Sequence, residues 1–570
     1  MKNYIQAESV IGRRITLIYE QLYKKIKPEL HASCYNTLHE SYNADAEFAG
    51  KYIDIALWFY TNWDDEDSFK AATEVAKSAI CHQRGDGYLG TYYEGKEFSG
   101  FSVWNQAFTC IGLLAYYSKS GDAAALTAVE KCIDNNAGNF MSQKADLLRS
   151  GNQGSQHLVL LIAIMLLYRI SKKEQYLNFA RFILDTCQKN PCFDVLNNST
   201  ALGLASQKGL EMLLFMLGVL EYAEQADDDR YLCAVQNYWE SVKKDQIIPT
   251  GCGTVSEAWR PHGNKPAMLP VEINPNENCV AVAWMELSAK LYSITKNGKY
   301  FDAFEKTLYN HLFGSMAPDG SDFAYYQGTY GAKIIATRPT SYSCCRYRGL
   351  AMCAYLPEMT VMQFEDSVYM PLYTEFSRTI QIAGVPVKIK METNYPMDGK
   401  VSIHLRSEKP VTTKVSLRIP EWCRSYKLFE GNQELEIELE NGHLTWNITI
   451  TDNDNVYNLL LTMPINVEKT EICSQKVASY TYGPVLLATD TFFGETLYST
   501  TIDENAVIRK SQEETQHNEI VRFEVSGTIR GIPKNIHLID YASAGMKRPG
   551  KDLFRIWIPM TENEMTSGLW

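Results

Sequence analysis

The residue types best suited to chemistry fall in three short segments between residues 250 and 349. The first, TGCGTVSEAW (Thr250–Trp259), contributes Glu257. The second, NPNENCVAVAW (Asn274–Trp284), contributes Glu277 and Cys279, and the third, SYSCCRYRG (Ser341–Gly349), the adjacent Cys344 and Cys345. One carboxylate and three thiols complete a tetrahedral shell, and both are ordinary zinc ligands. Glu277 and Cys279 stand two apart, so an extended or turn segment entering a helix puts both on one side. Each residue alone also has a plainer reading. Free cysteines are commonly inert small hydrophobes of a core, and a lone glutamate such as Glu257 is commonly a solvated surface carboxylate. The Gly-, Asn- and Pro-rich approaches, and three thiols grouped with a carboxylate, set these segments apart.

The elements that must position them change period part-way along the chain. From about Ile5 to Leu356 apolar residues recur at helical spacing, as in Phe101–Tyr117, Leu158–Tyr168, Leu210–Tyr222 and Cys279–Tyr292. Look-alike connectors join these segments: YSKSGDAAAL from Tyr117, YRISKKEQYL from Tyr168, YAEQADDDRYL from Tyr222 and YSITKNGKYF from Tyr292, with a degenerate copy, YTNWDDEDSF, from Tyr60. Recurrent helix–turn–helix units imply stacked helical hairpins. Their irregular spacing argues against an open solenoid and predicts an (α/α)6 barrel with a concave mouth. After about Glu358 the period becomes two. Val385–Thr393, Lys414–Ile419, Leu444–Ile450 and Tyr457–Met463 read as strands with turns at MDGK, EGNQ and ENGH, and Val477–Thr489 and Leu553–Met560 are also strand-like. The expected division is a barrel over 1–357, a β-sandwich over 358–468, and a second β-sandwich or β-rich region over 469–570.

Composition narrows the partners. The chain has 570 residues, 45% of them hydrophobic, and a net charge of −12 without a Lys/Arg block, which speaks against nucleic acid. Aromatic residues make up 12%, which suits sugar binding as well as helix packing. Fourteen cysteines without a CxxC spacing read as free thiols in a reducing compartment. The start, MKNYIQAESVIGRRITLIYE, has no apolar signal core, and no apolar run reaches the length of a membrane span, so a cytoplasmic protein is expected.

An ordered series of motifs then carries a family resemblance. EFAGKY at Glu47, GDGYLGTY at Gly85, GLLAYYSKSGD at Gly112, TGCGTVSEAW, ENCVAVAW, FEKTLYNHLFGSMAPDG at Phe304, FAYYQ at Phe323, the Cys-Cys pair, SLRIPEW at Ser416 and YGPVLLA at Tyr482 resemble glycoside hydrolase family 127, formerly domain of unknown function 1680. That resemblance implies an (α/α)6 barrel followed by β-sandwiches, and a retaining exo-hydrolase of L-arabinofuranosides or related plant-polysaccharide sugars. It implies zinc held by Glu277, Cys279, Cys344 and Cys345, Cys344 as thiolate nucleophile, Glu257 as acid/base, and Glu305 and Tyr325 as substrate contacts, beside which a salt-bridged helix residue for Glu305 and a packed strand aromatic for Tyr325 are equally open. It implies a glycoside or oligosaccharide partner and leaves a homodimer open. For its first step Glu257 would need a raised pKa, which burial beside Trp259 could supply.

The chain departs from the family at recognition positions. Where pocket histidines are expected it reads GLASQKGLEM (Gly203–Met212) and VWNQAF (Val103–Phe108), and Arg346-Tyr347-Arg348 follow the cysteine pair. The arginines would hold a carboxylate-bearing sugar or pair with acidic residues of the barrel. Two other classes compete: a non-catalytic carbohydrate-binding or structural protein with a zinc-stapled barrel, and an isomerase or lyase on a similar barrel.

Overall fold

The structure, a computed structural model, describes residues 4–561 apart from 152–153, 205, 262–270, 336–342, 366, 473 and 512–518. Six helices form an inner ring: Asp45–Trp63, Ser102–Ser120, Leu160–Ser171, Gly209–Ala226, Asn278–Thr295 and Cys344–Tyr355. Each packs on the next and the last returns to the first, which closes the ring. Inner helices such as Gly209–Ala226 are buried on nearly every side. The outer helices Glu66–Cys81, Ala123–Met141, Glu174–Gln188, Asp229–Asp245 and Gly298–Thr307 each bury one apolar stripe against their inner neighbours, as amphipathic helices do. The first helix, Val10–Gln21, packs on Cys344–Tyr355.

The repeated connectors share one turn. Asp64, Gly121, Lys172, Asp227 and Lys296 each end an inner helix in the left-handed conformation, with φ of 57°, 71°, 54°, 54° and 56°. One extended residue follows, and the next helix starts. In four of the five these are Asp65, Asp122, Asp228 and Asn297, each accepting a hydrogen bond from a backbone N–H of the new helix's first turn, and in the fifth it is Lys173, whose side chain makes no cap. The polar connectors are thus helix C-terminus and N-cap signals placed side by side.

The β part begins at Met362. A five-stranded sheet contains Val411–Arg418 and His443–Ile450, and a six-stranded sheet contains Val385–Thr393 and Asn455–Leu461. Their alternate buried residues join one core, and Trp446 of one meets Tyr457 of the other at 5.1 Å between ring centroids. ENGH is a two-residue hairpin turn, with Asn441 and Gly442 at φ 50° and 81°. The third sheet has ten strands drawn mostly from Ile465 onward. Val477–Thr489, expected as one stretch, is a hairpin of Gln475–Tyr482 and Val485–Asp490 turning at Gly483 (φ 53°). Leu553–Met560 likewise contains two short strands, Leu553–Arg555 and Ile558–Thr561. The helical half lends this sheet a strand, Tyr330–Ala332, paired with Leu553–Arg555. None of the described helices is long and apolar enough to cross a membrane.

Candidate metal and catalytic site

Four segments are woven together at the mouth of the ring by backbone bonds. Trp259 N–H donates to Gln207 O (2.8 Å), Gly209 N–H to Glu257 O (2.8 Å), Asn276 N–H to Thr254 O (2.7 Å) and Asn278 N–H to Tyr325 O (3.0 Å). Asn274 and Asn276 take left-handed φ of 52° and 50° to make the sharp approach, which asparagine tolerates well. Glu277 then caps the helix Asn278–Thr295 in extended conformation, and Cys279 is that helix's second residue. Cys344 and Cys345 open the neighbouring helix Cys344–Tyr355. Asn278 Nδ2 donates to Cys345 O (3.1 Å) and so fixes one helix start against the other.

The four candidate ligand atoms all lie within 4.8 Å of one another. Cys279 Sγ is 3.3 Å from Cys345 Sγ, and Cys345 Sγ is 3.8 Å from Glu277 Oε1. Glu277 is buried, and its Oε2 has no hydrogen-bond partner among the described residues. Burial, followed by the charges of Glu257 and Cys344, pushes the Glu277 carboxyl well above the ordinary range. A buried carboxylate oxygen without a donor, beside three thiols, is a donor set that a divalent cation satisfies. The cluster can hold a metal ion. The N-terminal ends of two helices add their dipoles, which favour anionic sulfur.

The thiols are not equivalent. Cys279 and Cys345 are fully buried and Cys344 is half-buried. Hydrogen bonds from Cys279 and Cys345 hold the Cys344 thiol well below its ordinary pKa against burial, with help from the Lys51 charge and the Tyr325 hydroxyl. Burial is the first cause that pushes the thiols of Cys279 and Cys345 up. Tyr325 Oη lies 3.3 Å from Cys344 Sγ, so the structure places Tyr325 at the site.

Glu257 sits in the same weave with a left-handed φ of 66°, a strained conformation for this residue type of the kind that concentrates at functional positions. Its environment differs from the expectation. Trp259 is fully buried and its indole donates to Tyr238 Oη (2.9 Å). The Glu257 side chain keeps 20% exposure and meets Lys208 Nζ at 2.8 Å through Oε2. Tyr326 Oη donates to Oε1 at 2.6 Å. Both oxygens are therefore aimed by fixed donors. Burial alone would lower the pKa of Lys208, but Glu211 and then Glu257 reverse this and hold the ammonium above its usual range. Lys208 belongs to the very stretch, GLASQKGLEM, that lacks the expected histidine, and Tyr326 is the second tyrosine of FAYYQ. Neither carried a signal of its own before the backbone pairing was known.

For Glu305 and for the arginines after the cysteine pair the sequence leaves two readings each. Glu305 is buried on the outer helix Gly298–Thr307 and faces the β part rather than the thiols. Arg418 Nη2 (2.5 Å), Tyr395 Oη (2.7 Å) and Trp422 Nε1 (3.3 Å) all donate to its carboxylate. A carboxylate held by three protein donors has little left for a sugar. Arg346 pairs with Asp322 through two nitrogens, Nε at 2.7 Å, and Arg348 Nη2 meets Glu286 at 2.6 Å. Of the two readings of these arginines, the ion pairs are the ones observed. Ser341 and Tyr342 of the cysteine segment lie outside the described residues.

A closed helical ring carrying a metal-competent cluster of thiols and carboxylate, followed by stacked sheets, defines the molecule as a helical domain joined to β-rich domains. The family model for the β-L-arabinofuranosidase GH127 catalytic domain matches residues 8–358, and that for the GH127 middle domain matches residues 367–463. The chain belongs to glycoside hydrolase family 127 and is by that membership a glycoside hydrolase. Comparison with curated proteins gives no match. Among solved structures it is similar to Ara127N-Se, a GH127 β-L-arabinofuranosidase from Geobacillus stearothermophilus T6. The identity is 18%, over 98% of this chain and 99% of that one, with a TM-score of 0.81. A GH127 β-arabinofuranosidase, BT3674, is 18% identical over 97% of this chain and 94% of that one, with a TM-score of 0.77. At such identities the likeness establishes the fold.

Proposed function

We propose that the chain is a retaining exo-glycoside hydrolase with Cys344 as nucleophile and Glu257 as general acid/base, acting on L-arabinofuranosides or related plant-polysaccharide sugars. Glu277, Cys279, Cys344 and Cys345 would hold zinc, which when bound keeps the sulfur deprotonated. The observation that carries the reading is that Cys344 alone among four clustered donors is partly accessible. A purely structural staple has no need to leave one thiol open beside a carboxylate aimed by Lys208 and Tyr326. Cys344 Sγ attacks the anomeric carbon while Glu257 protonates the departing oxygen. The same carboxylate, now ionised beside Lys208, takes a proton from the water that releases the sugar. Tyr325 orients the sulfur through its hydroxyl.

The closed ring supports its reading as an (α/α)6 barrel, with the proposed divisions at 357/358 and 468/469 and the two smaller sheets as the first β-sandwich. The substrate class comes from family membership. The stretches Gly203–Met212 and Val103–Phe108, which hold no histidine where pocket histidines are expected, support a sugar or linkage that differs from the commonest one. The test is a panel of aryl glycosides and arabinan or pectin oligosaccharides, run with metal analysis on wild type, Cys344→Ser and Glu257→Gln. Turnover lost in both variants with the fold retained supports the reading. Bound zinc with no turnover on any sugar supports the structural alternative, and full activity in Cys344→Ser ends the thiolate mechanism.

A further inference from the structure

A cavity of about 450 Å³ lies apart from the cysteine site, where the first helix meets the loop after Ser315 and the C-terminal sheet. Such a volume falls in the range of about 300–1,000 Å³ that takes small organic ligands. Part of its wall is apolar, with Leu17 and Met546 among the lining side chains. The rest is charged: Arg13, Arg14, Lys547 and Glu519.

Among the described residues the charges of this wall are not all paired. Glu519 is fully buried and is already shared, since Lys547 Nζ meets its Oε1 and Arg522 Nη2 lies 2.8 Å from its Oε2. Arg14 makes no ion pair among the described residues. Its guanidinium lies 4.9 Å from the Phe313 ring centroid, and Nη1 donates to Phe313 O at 3.5 Å, the limit of a hydrogen bond. Asp540 is the carboxylate that acts most on it, but Asp540 accepts from the backbone N–H groups of Ile520 (2.6 Å) and Ser543 (2.9 Å). Burial lowers the pKa of Arg14 and Asp540 opposes this only in part. Arg13 is exposed and also has no ion pair among the described residues. Charges inside proteins are normally paired. A guanidinium offers five N–H donors in a fork that fits carboxylate or phosphate oxygens, and among the described residues Arg14 uses one of them, weakly.

We propose that this cavity is a binding site for a small organic oxyanion, a ligand of sugar size bearing one carboxylate or phosphate. Arg14 anchors the oxyanion, Arg13 adds attraction at the mouth, and the apolar wall takes the ligand's apolar face. The test is isothermal titration of the full chain with galacturonate, glucose 6-phosphate and neutral galactose, in wild type, Arg14→Met and Arg13→Ala. We expect one acidic probe to bind with Kd of about 1 mM or tighter and galactose not to bind. Arg14→Met should weaken the acidic probe by about tenfold or more, because a charge-assisted fork is lost. Arg13→Ala, at an exposed position, keeps the fold and gives a smaller loss that high salt abolishes. Which acidic probe binds separates the carboxylate from the phosphate source. Absence of binding by both acidic probes, equal binding of galactose, or binding unchanged in Arg14→Met would each overturn the proposal.

Discussion

Replacing Arg418 with methionine tests whether Glu305 belongs to the frame or to the substrate site. The Arg418 side chain is completely buried where the outer helix Gly298–Thr307 meets the β part. One of its nitrogens holds Asp302 and another holds Glu305, while Nε donates to Pro371 O at 3.0 Å. Removing one partner of a buried pair costs about 3–5 kcal/mol. Here one cation serves two carboxylates, but each keeps other donors: Glu421 N–H at 3.3 Å for Asp302, Tyr395 and Trp422 for Glu305. The expected loss is therefore one such increment rather than two. It should also depend on pH. Burial, then the charge of Glu305, already pushes the Asp302 carboxyl up to about 6 against the opposing pull of Arg418. Without the guanidinium the Asp302 carboxyl rises further above its unfolded value. Such groups penalise the fold when ionised, so the deficit is full at neutral pH and shrinks as the pH falls toward about 4. Urea unfolding of wild type and variant at neutral pH and near pH 5, read at the first transition, measures it. A loss under about 1 kcal/mol at neutral pH, or one that grows on acidification, would refute the argument. Glu305→Gln should lower stability and leave KM unchanged. A folded Glu305→Gln with normal stability and a raised KM would restore the substrate-contact reading.

Other outcomes are equally open to measurement. Burial pushes His31, His157 and His443 down to about 4 and His311 to about 3. Neutral in the fold, they contribute stability that is complete above about pH 6.5 and is lost as the pH falls toward those values, so the wild-type Tm should drop between pH 7 and pH 5; a flat Tm over that window contradicts it. Lys208→Met should cut kcat/KM by about ten- to a hundredfold through loss of aim at Glu257, with partial recovery in Lys208→Arg; an unchanged kcat/KM would remove Lys208 from the site. Glu277→Gln should lower zinc content in equilibrium dialysis at unchanged Cys344 exposure, and full zinc occupancy in that variant would displace Glu277 from the shell. Lys172→Gly and Lys296→Gly should each stabilise by about 0.5–1 kcal/mol, because left-handed φ costs a side-chain-bearing residue more than it costs glycine. Destabilisation in both would mean that these lysines contribute contacts that outweigh the backbone strain.

What the sequence revealed follows from how local each signal is. The connectors were readable because a helix stop, an extended cap and a helix start fall within four residues, and Gly121 among them shows the backbone conformation the others share. The strand Val385–Thr393 was readable to the residue because its alternate side chains are buried. Tyr330–Ala332 was not, since its partner Leu553–Arg555 lies more than two hundred residues away and three residues carry no period. Glu305 stayed open in sequence between a substrate contact and a salt-bridged helix residue for the same reason. Its motif resembles a functional one, but Arg418, 113 residues later, decides what the carboxylate does. Lys208 and Glu257 meet only because the backbone around Lys208 pairs with that around Ala258.

The cysteine pair alone reads in sequence as buried thiols sooner than as a site, and its position at a helix start gives the two thiols different surroundings. Consecutive residues of an α-helix point about 100° apart. Cys344 and Cys345, the first two residues of their helix, therefore cannot face the same way. Cys345 turns inward to Cys279 and the carboxylate of Glu277, and Cys344 turns to the mouth beside Tyr325. A single cysteine would have to serve as both anchor and nucleophile. In the proposed mechanism Cys345 would hold the cluster in the core while Cys344, within 4.8 Å of the other donors, would meet the substrate. Inserting one residue between them would carry the open thiol a further 100° or so around the helix. Such a variant should lose turnover far more than it loses metal, and equal losses of the two would argue that both thiols only anchor.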